Sequence, residues 1–120
     1  MYEVNFYKDK NGKEPVKEYL IKLANKKDKD SRINLNKIRD YIKILKLYGT
    51  RAGEPFVKHI EDEIWELRPL KNRILFIGFK DKQFILLHHF IKKTQKTPQK
   101  EIEHARRNMA DFVERSDNNE

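Results

Sequence analysis

Three short apolar runs, separated by two polar breaks, constrain the fold of this chain more than any other feature. The runs are Ile64–Arg68, Arg73–Phe79 and Phe84–Phe90, and each break is four residues long. Ile, Leu, Phe and Trp dominate the runs, as the half-buried surface of a sheet favours. Connectors of four residues suit antiparallel hairpins. The sequence therefore predicts three consecutive antiparallel strands.

Basic residues stand at the ends of these runs. Arg68 closes the first run, Arg73 opens the second, and Lys92 and Lys93 follow the third. In two successive hairpins these three ends lie at the same edge of the sheet, because neighbouring strands run in opposite directions. The pattern therefore predicts a cationic edge to which three separate runs contribute.

The segments before the runs predict a strand and two helices. Residues Tyr2–Tyr7 alternate with a period of two, which is typical of a strand. Pro15 can open a helix whose apolar residues form one stripe. Asp30 or Ser31 can cap a second helix, which ends at Gly49. These two helices predict an αα-hairpin laid on the sheet.

The remaining segments complete the predicted fold. Residues Phe56–Ile60 form either a short edge strand or an irregular entry into the sheet, and Pro98 opens a last amphipathic helix. We expect one domain over residues 1–120, with a frayed tail at about 116–120. The fold class is α+β: a twisted antiparallel sheet with the N-terminal αα-hairpin packed on one face, and a C-terminal helix.

Strand alternation assigns each side chain of the runs to one face. We expect one face to meet the helical hairpin through Trp65, Leu67, Ile74 and Phe76. The other face then carries Glu66, Arg68, Arg73, His89 and, at its border, Lys93, with both arginines in water. This second face is also apolar in its middle, so we expect the C-terminal helix, a protein partner or both to cover it.

Charge and composition limit the class of function. The 27 Lys and Arg residues outnumber the 19 Asp and Glu residues, which gives a net charge of +8. A small basic domain usually binds nucleic acid, an anionic membrane or an acidic protein. The chain has no Cys, which excludes disulfides, thiol catalysis and Cys-based zinc sites. Without a membrane-length apolar run or a signal peptide, the expected location is cytoplasmic.

Most of the candidate site residues have two interpretations. Arg68 and Arg73 are either a phosphate clamp or ordinary arginines paired with Glu66. Lys92, Lys93 and Lys96 either continue the cationic edge or form a solvated charge run. His88 and His89 fall on opposite faces, so they do not share a metal ion easily, and either one is a general base or a core histidine. Tyr48, at a helix end, can reach a groove.

Two segments carry a family resemblance: IWELRPLKNRILFIGF and FILLHHFIKKTQKTPQKEIEHA. The most specific motifs in them are W-E-L-R at Trp65–Arg68, Asn72-Arg73 at the next strand, and F-x-K-K-T-x-K-T-P at Phe90–Pro98. On these motifs the chain resembles the RelE/ParE toxin superfamily, and within it the HigB branch related to phage Gp49-like proteins. The resemblance covers nearly the whole chain.

The resemblance implies the toxin of a type II toxin–antitoxin pair. Such a toxin is neutralised by a helix-turn-helix, HigA-like antitoxin, in a toxin2–antitoxin2 complex that meets operator DNA through the antitoxin. When free, it is a ribosome-dependent endoribonuclease that cleaves mRNA without a metal or other cofactor. The 2′-OH of one nucleotide attacks the adjacent phosphate and leaves a cyclic phosphate and a 5′-OH.

The resemblance also implies residue roles. Arg73, Lys93 and Arg68 match the basic residues that stabilise charge on the phosphate. Relatives carry a lysine pair where this chain has Ile64 and Glu66, and a Tyr near the C-terminus that this chain lacks. The base is therefore sought elsewhere, among His89, Glu66, Lys92 and Lys96. Lys92, Lys96, Lys71 and Tyr48 are the candidates for RNA binding.

Two other functions fit the same sequence. One is a ParE-like gyrase inhibitor, which has no nuclease activity and needs no acid or base. The other is a non-catalytic basic module that binds RNA or ribosomes. A fold does not choose among these functions, because function depends on the site.

Overall fold

The computed structural model describes residues 1–118 and has an α+β fold. The strands are β1 (Glu3–Phe6), β2 (Val57–Glu61), β3 (Ile64–Leu67), β4 (Asn72–Phe79) and β5 (Gln83–Ile91). The helices are α1 (Pro15–Asn25), α2 (Lys29–Tyr48) and α3 (Gln99–Asn118), and a 3₁₀ turn, Gly49–Ala52, follows α2. The predicted fold class is confirmed.

The five strands form one sheet in the order β1-β5-β4-β3-β2. Strands β2 to β5 pair antiparallel, as predicted for the three runs. Strand β1 pairs parallel to β5, so the expectation of a wholly antiparallel sheet is wrong at this edge. The chain leaves β1 through both helices and enters the sheet again at the far edge. The segment predicted at Phe56–Ile60 is therefore the edge strand β2, rather than an irregular entry.

The helical hairpin of α1 and α2 begins and ends at recognisable residues. Pro15 is in the first turn of α1, where its missing N–H costs nothing. The cap of α2 is Asp28, not Asp30 or Ser31, and its Oδ2 accepts a hydrogen bond from the Ser31 backbone N–H at 2.9 Å. Gly49 ends α2 with a φ of 62°, and a Cβ there would lie 2.8 Å from the Tyr2 ring.

The sheet is covered on both faces, which we call the hairpin face and the α3 face. On the hairpin face, Leu67, Ile74 and Phe76 are buried against the helical hairpin, and Trp65 packs partly buried beside them. On the α3 face, Ile102 and Ala105 of α3 cover a second core. The strand residues of that second core are Ile64, Leu75, Ile77, Ile85 and Leu87. The cover that we expected for this face is thus the C-terminal helix.

A β-bulge in β5 changes the predicted facing of the residues after it. Leu75 lies opposite His88 and Phe76 lies opposite Leu86, so Leu87 has no partner on β4. One extra residue reverses the alternation beyond it. His88 therefore lies on the α3 face and His89 on the hairpin face, the opposite of the expectation.

The same reversal exchanges the sides of the sheet on which Lys92 and Lys93 lie, just after β5. Arg73 pairs with Phe90 on the α3 face, and Lys92 follows Phe90 by two positions. The backbone N–H of Lys92 donates to the Lys71 carbonyl at 2.7 Å, which continues the pairing. Lys92, rather than Lys93, is therefore on the arginine side of the sheet.

The end of α3 bears on the predicted frayed tail. Residues 116–118 continue this helix, whereas 119 and 120 lie outside the described residues. Within residues 1–118, no helix has the length and apolar character needed to cross a membrane.

Candidate functional site

A pocket of about 500 Å³ opens at the edge of the sheet that the sequence marks as cationic. Its lining residues come from the β2 side, from both ends of the β3–β4 loop and from the segment after β5. They are Glu54, Pro55, Arg68, Arg73, Lys92 and Gln95. We call this depression the arginine pocket.

Arg73 is the most firmly held of these residues. Its Nη1 donates to the carbonyls of Leu70 and Asn72, both at 2.8 Å. The side chain is 8% exposed, so the expectation that this arginine stands in water is wrong. Burial, together with the neighbouring Arg68 charge, lowers the pKa of Arg73 from its ordinary value. A guanidinium stays charged despite such a shift, so the pocket keeps a fixed cation.

Glu66 lies beneath the two arginines as their counter-ion. Its Oε1 is 3.2 Å from Arg68 Nε and 3.8 Å from Arg73 Nε. Its Oε2 accepts a hydrogen bond from Thr97 Oγ1 at 2.7 Å, which ties the segment before α3 to the sheet. Because its side chain is 1% exposed, Glu66 does not face the open space of the pocket. Its position suits holding the arginines rather than taking a proton from a ligand.

The side chain of Arg68 makes fewer and longer hydrogen bonds within the protein than that of Arg73. Its Nε lies close to Glu66 Oε1 but makes no aligned hydrogen bond. Its Nη1 reaches only Glu54 Oε1, at 3.5 Å, a carboxylate whose side chain is 67% exposed. The side chain is 17% exposed, so it too is not in water as expected. Most of its N–H fork is therefore available to a ligand.

Lys92 and Gln95 form the remaining wall. Lys92 Nζ donates to Gln95 Oε1 at 3.2 Å, and Lys92 is half-buried. Lys93 is exposed and is not among the residues that line the pocket. The bulge in β5 is the physical reason, since it turns Lys92 to this side.

The arginine pocket is suited to an anion that carries oxygens. Three cations, Arg68, Arg73 and Lys92, face two carboxylates, Glu54 and Glu66, so one positive charge is in excess. Guanidinium forks match phosphate oxygens, and partial burial strengthens that attraction relative to bulk water. A phosphodiester, with one negative charge, would balance the pocket.

The other RNA-binding candidates lie elsewhere among residues 1–118. Lys71 lines a depression between the helical hairpin and the β3–β4 loop, and Tyr48 lines one at the end of α2. Lys96 lines a third, beside β2 and α3. The structure therefore brings together Arg68, Arg73, Glu66 and Lys92, and it separates Lys71, Lys96 and Tyr48 from them.

His89 is packed under α1 and away from the arginine pocket. Its ring stacks on Tyr19 with centroids 3.6 Å apart, and its Nε2 lies 3.1 Å from Asn72 Oδ1. Asn72 Oδ1 also accepts from Tyr19 Oη at 3.0 Å, so Nε2 of His89 is the donor in this arrangement. Burial, with a smaller contribution from His88, lowers the pKa of His89 to about 4. His89 is thus a neutral, half-buried histidine.

His88, rather than His89, lies on the α3 face. Its Nε2 lies 2.8 Å from Glu101 Oε1, and its ring stacks on His104 at 4.1 Å. Burial, then His88 and Arg107, lower the pKa of His104. Within residues 1–118 no three His, Asp or Glu side chains are grouped so as to hold a metal ion.

Sequence reasoning missed three residues of the site. Glu54 and Gln95 lie in irregular segments, where no periodicity predicts which way a side chain points. Thr97, the partner of Glu66, belongs to the K-T-x-K-T-P motif, so its motif was visible although its contact was not.

The sequence comparisons identify the family of the chain. No curated protein matches the chain. A family model matches residues 17–110, a stretch that contains β2 to β5, all of α2 and most of α1 and α3. That family is the phage-derived Gp49-like proteins (DUF891), which are RelE/HigB-like toxins. The arginine pocket therefore lies inside the matched region, and the chain belongs to the Gp49-like toxin family.

Proposed function

We propose that this protein is a ribosome-dependent endoribonuclease, the toxin of a type II toxin–antitoxin pair, and that the arginine pocket holds the scissile phosphate of mRNA. One observation carries the proposal: Arg68, Arg73 and Lys92, from three separate segments, surround one open pocket in a member of a toxin family. A pocket with one buried and one partly buried guanidinium is more than a binding module needs, because removing each charge from water costs free energy.

The proposed reaction needs no group beyond the RNA and this pocket. The 2′-oxygen attacks the adjacent phosphorus, the bond from phosphorus to the 5′-oxygen breaks, and the products are a 2′,3′-cyclic phosphate and a 5′-OH. The proton of the 2′-OH goes to a base, and the leaving oxygen takes one from an acid. Arg73 and Arg68 stabilise the charge that develops on the phosphoryl oxygens.

Two titratable side chains line the arginine pocket besides the arginines. Glu54 is a largely exposed carboxylate at the rim and is our candidate proton acceptor. Lys92 is an ammonium with donors to spare and is our candidate proton donor to the leaving oxygen. Glu66, beneath the arginines, is a positioning residue in this scheme. Lys93, His89 and Lys96 have no part in it, because they do not line the pocket.

The partners follow from the same proposal. An open pocket without a closed cleft relies on the ribosome to present mRNA, and the net charge of +8 favours approach to ribosomal RNA. The toxin family implies an antitoxin partner. We propose a helix-turn-helix, HigA-like antitoxin in a toxin2–antitoxin2 complex, with operator DNA bound through the antitoxin.

The test is to induce the protein in cells and to map new 5′-OH ends on mRNA. The variants are Arg73→Ala, verified to fold by circular dichroism, and Glu54→Gln. Because Glu54 is exposed, its substitution leaves the fold intact even if Arg73→Ala does not. We expect ends inside codons for the wild type and a loss of about a hundredfold or more in each variant, as is typical of a lost transition-state contact. Glu63→Gln, in the β2–β3 turn, is the matched control and should cleave normally.

Other outcomes identify other functions. Intact mRNA with growth arrest and DNA damage would indicate a gyrase inhibitor. Intact mRNA without arrest would leave a basic binding module. Equal cleavage of purified mRNA with and without ribosomes would retain the nuclease but contradict ribosome dependence.

A further inference from the structure

A second depression, which we call the loop cleft, lies on the other side of the β3–β4 loop from the arginine pocket. Its volume is about 560 Å³, and it is bounded by α1, the start of α2, the loop and the end of β5. Its lining includes Tyr19, Lys22, Lys26, Asn34, Leu70 and Lys71.

One loop forms a wall of both depressions. Arg73, in the arginine pocket, holds the carbonyls of Leu70 and Asn72. The side chain of Leu70 lines the loop cleft, and that of Asn72 is bonded to residues at its base. A ligand strand that leaves the arginine pocket over this loop therefore enters the loop cleft.

The loop is held in a costly conformation that directs an apolar side chain outward. Leu70 has a φ of 58°, in the left-handed region that bulky residues rarely adopt. Its side chain is nevertheless 47% exposed, so burial of Leu70 does not offset the cost. Strain of this kind is found where the surroundings impose it, often at ligand sites. Here the turn is held by hydrogen bonds from Arg73 to the Leu70 carbonyl and from Asn72 to the Pro69 carbonyl.

The chemistry of the loop cleft is cationic and apolar together. Lys22, Lys26 and Lys71 surround it, against one carboxylate, Asp30. Leu70 and Ile91, which is 45% exposed, offer apolar surface to a flat group. Such a combination suits an unpaired nucleotide, because the cations can neutralise its phosphate and the apolar side chains can remove one face of its base from water.

The base of the cleft is rigid and already hydrogen-bonded. Asn72 Nδ2 donates to Asn34 Oδ1 at 2.8 Å, and Tyr19 Oη donates to Asn72 Oδ1 at 3.0 Å. Asn34 Nδ2 donates to the Asp30 carbonyl at 2.8 Å. These amides are occupied by one another, so recognition by the cleft rests on charge and packing and is tolerant of base identity.

We propose that the loop cleft is a binding subsite for a nucleotide of single-stranded RNA that flanks the one held in the arginine pocket. This proposal rests on the proposed function, since it assigns a second part of the same substrate. Lys22 and Lys26 neutralise the phosphate of the flanking nucleotide, and its base packs against Leu70 and Ile91.

The test measures fluorescence anisotropy of labelled 2′-O-methyl RNA, which lacks the attacking hydroxyl and is not cleaved. A trinucleotide reports on the arginine pocket, and a longer oligonucleotide also spans the loop cleft. The salt should be about 0.15 M, where charges farther than ~8 Å from the ligand are largely screened. The double variant Lys22→Ala/Lys26→Ala is compared with the control double variant Lys43→Ala/Lys46→Ala. Lys43 and Lys46 are exposed lysines near the C-terminal end of α2 and do not line the loop cleft.

We expect the Lys22/Lys26 variant to weaken binding of the longer RNA and to leave the trinucleotide unchanged. Because one phosphate is no longer neutralised, the slope of log affinity against log salt should fall by about 0.7. Leu70→Asn, a substitution that suits the left-handed backbone, should also weaken binding of the longer RNA. Leu47→Asn is its control, since Leu47 is likewise 47% exposed.

The outcomes separate this proposal from the proposed function. If wild type binds both RNAs and the Lys22/Lys26 and Leu70 variants match their controls, the loop cleft proposal is overturned while the arginine pocket stands. If wild type binds neither RNA, the loop cleft proposal is overturned, whereas the proposed function is decided by the 5′-OH ends that form on mRNA during translation.

Discussion

Lys92 and Lys93 are adjacent in sequence but face opposite sides of the sheet end. The bulge at Leu87 turns Lys92 toward Arg68 and Arg73. We expect Lys92→Ala to lower the cleavage rate about a hundredfold, as loss of one transition-state contact does, and Lys93→Ala to cleave within about threefold of wild type. The measurement is the rate of mRNA cleavage in a translating extract. A larger loss for Lys93→Ala would contradict the facing that we assign to the two lysines.

His89 makes stability depend on pH. Its pKa is about 4 in the folded chain and about 6.5 when unfolded, so between these values the unfolded state binds more protons. Its contribution to stability is therefore present above about pH 6.5 and is lost as the pH falls toward 4. From these values, acidification from pH 7 to 5 should cost about 2 kcal/mol of unfolding free energy through this residue.

The check on His89 is urea denaturation at both pH values for wild type and His89→Gln. The variant loses the stacking on Tyr19, so its absolute stability is lower, and the informative quantity is the difference between the two pH values. That difference should shrink by about 2 kcal/mol in the variant. An unchanged difference would mean that His89 is not held neutral in the folded protein.

At the scale of elements, α3 is a support for the arginine pocket as well as a cover for the second core. Gln95 and Thr97 lie just before α3, and Thr97 holds Glu66. Ile102 anchors the first turns of the helix and is 5% exposed. Ile102→Ala creates space into which α3 can shift, and a displacement of about 1 Å at a site can cost as much as a hundredfold in rate.

The matched variant is Leu35→Ala in α2, where Leu35 is 6% exposed. Each truncation should lower the free energy of unfolding by about 2–5 kcal/mol. We expect Ile102→Ala to reduce cleavage about tenfold more than Leu35→Ala, when both are assayed at a temperature where the variants are folded. Equal losses would show that α3 supports the fold but not the arginine pocket.

Much of this element arrangement could be predicted, and the bulge could not. The apolar stripes and turn residues predict the helical hairpin and α3, because each covers one face of the sheet. In Ile85-Leu86-Leu87 both faces are apolar, so an inserted residue leaves the hydrophobic pattern unchanged. The site followed the same division. The arginines at strand ends were predictable, whereas the side on which Lys92 lies depended on the bulge, and Glu54 and Gln95 depended on irregular backbone.

At the scale of the whole molecule, one sheet separates two cores. The hairpin-face core includes Ile74, Phe76 and Leu86, and the α3-face core includes Leu75, Ile77 and Leu87. These residues alternate along the same strands, β4 and β5. Because both cores are built on the same strands, disruption of the sheet disrupts both of them. We therefore expect a single cooperative unfolding transition, as is usual at this size.

Two probes can test this cooperativity. Trp65, the only tryptophan, packs against the hairpin-face core, and its fluorescence reports on that side. Hydrogen exchange of the α3 amides reports on the other side. We expect both to give the same urea midpoint in the wild type, and the same shifted midpoint in Ile102→Ala. An earlier midpoint for α3 would contradict the shared core and would mean that α3 opens independently. The arginine pocket would then lose the Thr97 contact to Glu66 before the rest of the molecule unfolds. Cleavage activity would be lost at a lower urea concentration than the native fluorescence of Trp65.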